Sequence, residues 1–135
     1  MTNCQAGIAS RTTIFLIFGV SAFLVAAIML LPKGFSDDLS KIGQGTGVVV
    51  LVHDKSSMSS LNIMTMLNNL RSDYTGKVEF IVVNLSSNKG RVFSQQQNVN
   101  TFALVFFSPN GTRRGLLVNI KAESELRSEL DRLSL

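Results

Sequence analysis

Cysteine occurs once in these 135 residues, at position 4, and histidine once, at position 53; tryptophan is absent. One cysteine excludes an intrachain disulfide and any metal site built from cysteines of a single chain. With His53 the lone imidazole, a metal site would have to rest almost wholly on carboxylates, and no metal is expected. Charge is also scarce, at 16% of residues, and the formal net charge of +4 is spread without a basic run. That leaves no electrostatic footprint for nucleic acid. The aromatics are nine phenylalanines and one tyrosine. Most lie inside apolar runs rather than between lysines and arginines, so they read as core packing and not as a base-stacking platform.

The longest gap in charge runs from Thr12 to Pro32, and Ile14–Leu31 is almost continuously apolar. About 20 apolar residues at helical rise match a hydrocarbon core about 30 Å thick, which predicts one transmembrane helix over residues 13–32 after a short tail, 1–12. Pro32 and Lys33 supply a stop and an interfacial charge. A cleaved signal peptide is the competing reading. Val25-Ala26-Ala27 would serve as its small-residue site, yet Ile28–Leu31 prolongs the apolar run past it, which favours an uncleaved anchor. Cys4 precedes that run and so is no lipoprotein cysteine. Gly19, Ala22 and Ala26 offer small side chains for a close helix–helix contact. Net flanking charge favours the amino terminus inside, which would put the domain on the periplasmic or lumenal side, although counting Lys and Arg alone does not.

Residues 33–46 read as a linker with a short helix over Asp37–Ile42 capped by Ser36. Val48–Val52 is a β-branched apolar run of the kind buried on both faces of a sheet. Leu61, Met64, Leu67, Leu70 and Tyr74 are spaced by three and four, which predicts a helix over Ser57–Tyr74 with Gly76 as its C-cap. Met58, Met64 and Met66 belong to its packing. Val78–Leu85 is a second strand, and Asn88–Asn98 a short helix with Val92 and Phe93 inward. Phe102–Phe107 is a third strand, followed by the turn Ser108-Pro109-Asn110-Gly111 and a returning strand over Arg113–Asn119. Ala122–Leu133 closes the chain as a helix with Leu126, Leu130 and Leu133 on one face; Glu123–Arg127 and Arg127–Asp131 pair on the other. Strand–helix–strand units favour parallel pairing and the hairpin adds an antiparallel edge, giving a mixed α/β sandwich of about 90 residues.

The loop after the first strand, Asp54-Lys55-Ser56-Ser57-Met58-Ser59-Ser60, stands where many folds of this order keep their chemistry. It has neither cysteine nor a glycine-rich cradle. Its serines beside His53 raise the idea of a Ser–His nucleophile, but there is no nucleophile-elbow spacing and no assigned orienting acid. A serine opening a helix reads as an N-cap, and His53 as a structural residue. Asn110-Gly111-Thr112 and Asn84-Leu85-Ser86 match the glycosylation acceptor pattern, Asn110 being first of all a turn residue.

Over residues 45–135 the chain resembles the thioredoxin family. The resemblance is carried by VVVLV, by SDYTGKVEFIVVNL, by NVNTFALVFFSPNG and by ESELRSELDRL, in that order and spacing. It implies a thioredoxin-like mixed-sheet α/β fold over residues 47–135. It also aligns the paired-cysteine motif with Ser57-Met58-Ser59-Ser60, so serine stands at both thiol positions. A serine hydroxyl stays protonated near neutrality and forms no exchanging disulfide. The cis-proline position falls on Ala103; a cis bond before a non-proline costs about 2.5–4 kcal/mol, so a trans bond is expected there. The buried carboxylate of the first strand has no match, its place falling on His53 or Leu51. With the family's catalytic groups missing and the apolar segment kept, exclusion points to a redox-inactive, membrane-anchored protein without cofactor, acting as an accessory, structural or assembly subunit of a membrane complex. Its partners would be the lipid bilayer and other subunits, met through the transmembrane helix and through Ser57, Met58, Ser59, Ser60, Phe102 and Ala103. Two alternatives stand beside it: a thiol–disulfide or cytochrome maturation factor borrowing a partner's thiol or using Cys4, and a chaperone-like binder of extended peptides.

Overall fold

Seven consecutive residues of the first strand, β1 (Gly47–His53), are buried. That requires neighbours on both edges and layers on both faces, and the computed structural model provides them. It describes residues 10–30 and 34–135; Cys4, most of the expected tail, Pro32 and Lys33 lie outside the described residues. The chain divides into two units at Gly34/Phe35.

The first unit contains helix α1, Ser10–Leu30, whose 21 residues span about 31 Å at 1.5 Å per residue. Its stretch Arg11–Met29 has a mean hydropathy of 2.4 and no buried residue, so it is long and apolar enough to cross a membrane. The Ser21 hydroxyl donates to the Phe18 carbonyl at 3.1 Å, which satisfies it within the helix.

The second unit, Phe35–Leu135, holds β1, α2 (Met58–Leu70) with a 3-10 turn at Arg71–Tyr74, β2 (Val78–Asn84), α3 (Asn88–Gln97), β3 (Ala103–Phe107), β4 (Arg113–Leu117) and α4 (Glu123–Leu133). The sheet order is β2-β1-β3-β4. β1 runs parallel to β2, from Gly47 opposite Val78 to His53 opposite Asn84. On its other edge β1 is antiparallel to β3, from Val48 opposite Phe107 to Val52 opposite Ala103.

That second pairing departs from the parallel pairing that a strand–helix–strand unit favours, and helix length explains it. Seven strand residues extend about 23 Å at 3.3 Å each. α2 plus its 3-10 turn covers about 27 Å, enough to return the chain to the sheet's far end. The ten residues of α3 cover only about 15 Å. The chain therefore leaves β2 and enters β3 at the same end, with Asn98 in the left-handed region (φ 54°) making the reversal.

Period-two alternation sends β1 side chains to two separate layers. Val49 and Leu51 pack with Ile63, Leu67, Leu70 and Tyr74 of the α2 segment and with Leu126, Leu130 and Leu133 of α4. Val48, Val50 and Val52 face Phe93 and Val99 from the α3 segment, the Phe93 and Phe107 rings lying 6.1 Å apart. Val92, expected inward beside Phe93, is 46% exposed. The stripe that α3 buries is Gly90, Phe93 and Ser94, spaced by three and four, and Val92 falls outside it.

Residues 35–46, read from the sequence as linker, are packed into this unit. The Ser36 carbonyl accepts from the Val82 N–H at 2.9 Å and extends the sheet beyond β2 by one bridge. Phe35 lies under the Arg71 guanidinium, 4.8 Å from its carbon. Leu39 and Ile42 pack on the α3-side layer, and Lys41 pairs with Glu79. The expected helix is one 3-10 turn, Leu39–Lys41, capped by Asp38 rather than Ser36.

Candidate functional site

The site grows from the carboxyl end of β1. His53, the last strand residue, points by alternation toward α2, and only 6% of it is exposed. Asp54 then bends the chain: its Oδ1 accepts from the Ser56 N–H at 2.9 Å and from the Ser56 hydroxyl at 2.6 Å. Those two hydrogen bonds, the side-chain one first, hold the Asp54 carboxyl below its ordinary range. Ser57 has extended backbone and is the N-cap of α2, its Oγ accepting from the Ser60 N–H at 3.3 Å. The capping role expected for a serine here is therefore filled by Ser57.

Ser60 does something the sequence reading missed. It is fully buried, and its Oγ accepts from the Asp54 N–H at 3.0 Å while lying 2.7 Å from His53 Nδ1. One hydroxyl thus joins the end of β1, the loop backbone and the first turn of α2. Burial, the leading cause, pushes the His53 pKa below its ordinary value, the charge of Asp54 opposing and that of Lys55 reinforcing the shift. Ser60 and His53 have the geometry of a nucleophile–base pair, but Ser60 has no access to an incoming group. Among the described residues no carboxylate bonds the other imidazole nitrogen, and no cluster of three His, Cys, Asp or Glu side chains is present.

The remaining site residues spread outward. Met58 and Ser59 are exposed, Met58 by 71%, and one turn on Leu61 is 39% exposed. Across the sheet, Ala103 is fully buried opposite Val52, so the chain just before it lies beside the end of β1. Phe102 is half-buried against the α2-side core. No described peptide bond is cis, so the one before Ala103 is trans, as expected. Of the two places considered for the buried carboxylate, Leu51 is an α2-side core residue, and His53 is the one that meets Ser60.

No protein-family model matches this sequence, and no curated protein matches it. Solved structures do. An uncharacterized thioredoxin-like protein from Clostridium perfringens superposes with a TM-score of 0.64 at 13% identity, covering 73% of this chain and 79% of that one. Oxidized thioredoxin O2 from Arabidopsis thaliana gives 0.61 at 17% identity, over 71% of this chain and 85% of its own. Oxidized mitochondrial thioredoxin 3 from Saccharomyces cerevisiae gives 0.59 at 15% identity, over 68% and 83%. The four-stranded mixed sheet with its flanking helices is a thioredoxin-like fold. In this chain it is accompanied by an amino-terminal helix apolar enough to cross a membrane.

Proposed function

We propose that this protein is a membrane-anchored, thioredoxin-like binding module that does not exchange disulfides, and that it serves as an accessory, structural or assembly subunit of a larger membrane complex. The observation that carries this reading is the use made of the two serines aligned with the fold's thiol pair. Ser57 is engaged as the cap of α2 and Ser60 is buried against His53. Both positions serve the architecture of the loop, and the one cysteine of the sequence lies at position 4, ahead of the apolar helix. What the loop end presents outward is Met58 and Leu61, two apolar side chains three apart on α2, ringed by polar residues. Apolar groups at such a position suit a protein partner. Net flanking charge, though not the count of Lys and Arg alone, favours the domain on the periplasmic or lumenal side of the membrane.

The test is extraction of native membranes in mild detergent, followed by native electrophoresis. The expected result is co-migration with larger proteins at a fixed ratio that survives purification and is lost in a Met58→Asp, Leu61→Asp double variant. Migration at the mass of the micelle-bound protein alone would refute a stable subunit.

A further inference from the structure

A cavity of about 470 Å³ opens at the carboxyl ends of β1 and β2, beside the loop that carries Ser57 and Ser60. Its apolar side chains are Met64 of α2 and Val82 of β2, both on the α2 side of the sheet, and its polar groups are His53, Lys55, Asp37, Asn84, Ser87 and Lys89. Two of the charges are already matched to each other. Lys89 Nζ donates to Asp37 Oδ2 at 3.0 Å and to the Asp37 carbonyl at 3.1 Å. Lys55 takes part in none of the ion pairs found among the described residues.

The proton on His53 follows from Ser60. Ser60 Oγ accepts from the Asp54 N–H, and its own buried proton has one acceptor in reach among the described residues, His53 Nδ1 at 2.7 Å. The opposite tautomer would leave that hydroxyl proton buried without a partner, at a cost of about 1–3 kcal/mol. Nδ1 is therefore the acceptor, and the neutral imidazole carries its hydrogen on Nε2. His53 is buried, it lines the cavity, and no described protein group accepts from Nε2. His53 and Lys55 thus bring to the lining of the cavity an N–H donor and an ammonium that no described protein group matches.

We propose that this cavity binds a carboxylate carried on a short apolar stem, the His53 Nε2–H donating to one oxygen and Lys55 Nζ to the other. A carboxylate offers two acceptor oxygens and no donor, which matches this pair of groups. A cation would meet two donors and the already paired Asp37. The same chemistry is presented by a free short-chain acid and by the carboxyl terminus of a peptide ending in an aliphatic residue, and separate arms of the test distinguish these sources.

The full chain, in detergent micelles and with labelled histidine, is titrated with butyrate while the imidazole nitrogens of His53 are followed by NMR. The apo spectrum is expected to show the Nε2–H tautomer. Butyrate should then shift the Nε2 signal saturably, whereas butylammonium at equal concentration should not. Lys55→Met should weaken butyrate at least tenfold, and Lys121→Met, on a remote exposed residue, should leave it unchanged. A peptide ending in valine, with its amidated form as control, reports whether the terminal carboxylate of a chain is held more tightly than the free acid; tighter binding of either source supports the site. An Nδ1–H tautomer, non-saturating shifts, or equal shifts with butylammonium would overturn the proposal. Should Lys55→Met prove unfolded, Lys55→Arg, which keeps the charge, is expected to bind butyrate within about threefold.

Discussion

Replacing Gly90 by alanine tests how rigidly α3 is set against the end of β2. Gly90 lies in the first turn of α3, and a Cβ there would stand 1.8 Å from the Asn84 carbonyl oxygen, 2.5 Å from its carbon and 3.1 Å from Ser87 Oγ. Two of these neighbours are backbone atoms of the strand that β1 pairs with, so they have little freedom to yield. Ordinary contact begins at 3.4 Å, and reaching it means lifting the amino end of α3 off the sheet. That lift would open the Ser87 cap, whose Oγ accepts from the Gly90 N–H at 3.0 Å, and loosen Phe93 against Phe107. Overpacking of this kind costs about 1–3 kcal/mol and a lost cap about 1 kcal/mol. Alanine in a helix returns about 1 kcal/mol, which leaves the steric cost ahead. The net expectation is a loss of about 1–3 kcal/mol, or roughly 0.5–2 M in the urea midpoint at the slopes usual for small domains. The assay is urea unfolding followed by far-ultraviolet circular dichroism, the protein being held in micelles that keep α1 helical. Gly115, in β4, has nothing within 4 Å of the same hypothetical atom and is the matched control; its alanine variant should stay within about 0.5 kcal/mol of the parent. A Gly90→Ala protein as stable as the parent would refute the close approach.

Two further expectations concern ionisation. The folded pKa of His53 lies below the unfolded 6.5 because of burial, so the unfolded chain takes up the proton first as pH falls. Stability should accordingly be fully present above pH 6.5 and decline below it, and His53→Gln should flatten that decline in urea midpoints measured across this window. Tyr74, buried and donating its hydroxyl to Asp131 Oδ1, has its pKa pushed up to about 12, burial being the larger cause. The folded state keeps a proton that the unfolded chain loses near 10, so stability should drop as pH rises from 10 to 12. Tyr74 is the sole tyrosine and there is no tryptophan, so phenolate absorbance during an alkaline titration reports this group directly; a midpoint near 10 in folded protein would contradict the burial.

Strands and helices with strong patterns were legible from the sequence, and contacts between them were not. Val48–Val52 and Phe102–Phe107 announce themselves because a continuous β-branched or aromatic run has few places to go except the middle of a sheet. The leucines of α4 fall at a spacing that only a buried helical face explains. The packing of residues 35–46 is not visible in the sequence because what binds them is a main-chain bond from the Val82 N–H to the Ser36 carbonyl and a sparse set of apolar anchors, Phe35, Leu39 and Ile42, too irregular to register as a period. Arg127 shows the same limit. Local spacing offers it Asp131, but the fold brings Asp73 within 3.0 Å of it and gives Asp131 to Tyr74. At the candidate site the cap at Ser57 was readable from a serine opening a helix. The bond between His53 and Ser60 was not, because seven residues of separation specify nothing until the loop between them has been bent by Asp54.

That bend is why one hydroxyl matters so much to this end of the molecule. Asp54 turns the chain by accepting two bonds from Ser56, and its own N–H donates to Ser60. Ser60 in turn donates its proton to His53 and so fixes which face of the imidazole carries hydrogen. The chain of bonds ends on His53, which lines the cavity. A larger and weaker acceptor at position 60, such as sulfur, would disturb the Asp54 and His53 contacts together. The serine at this position is thus explained by the histidine at the end of β1.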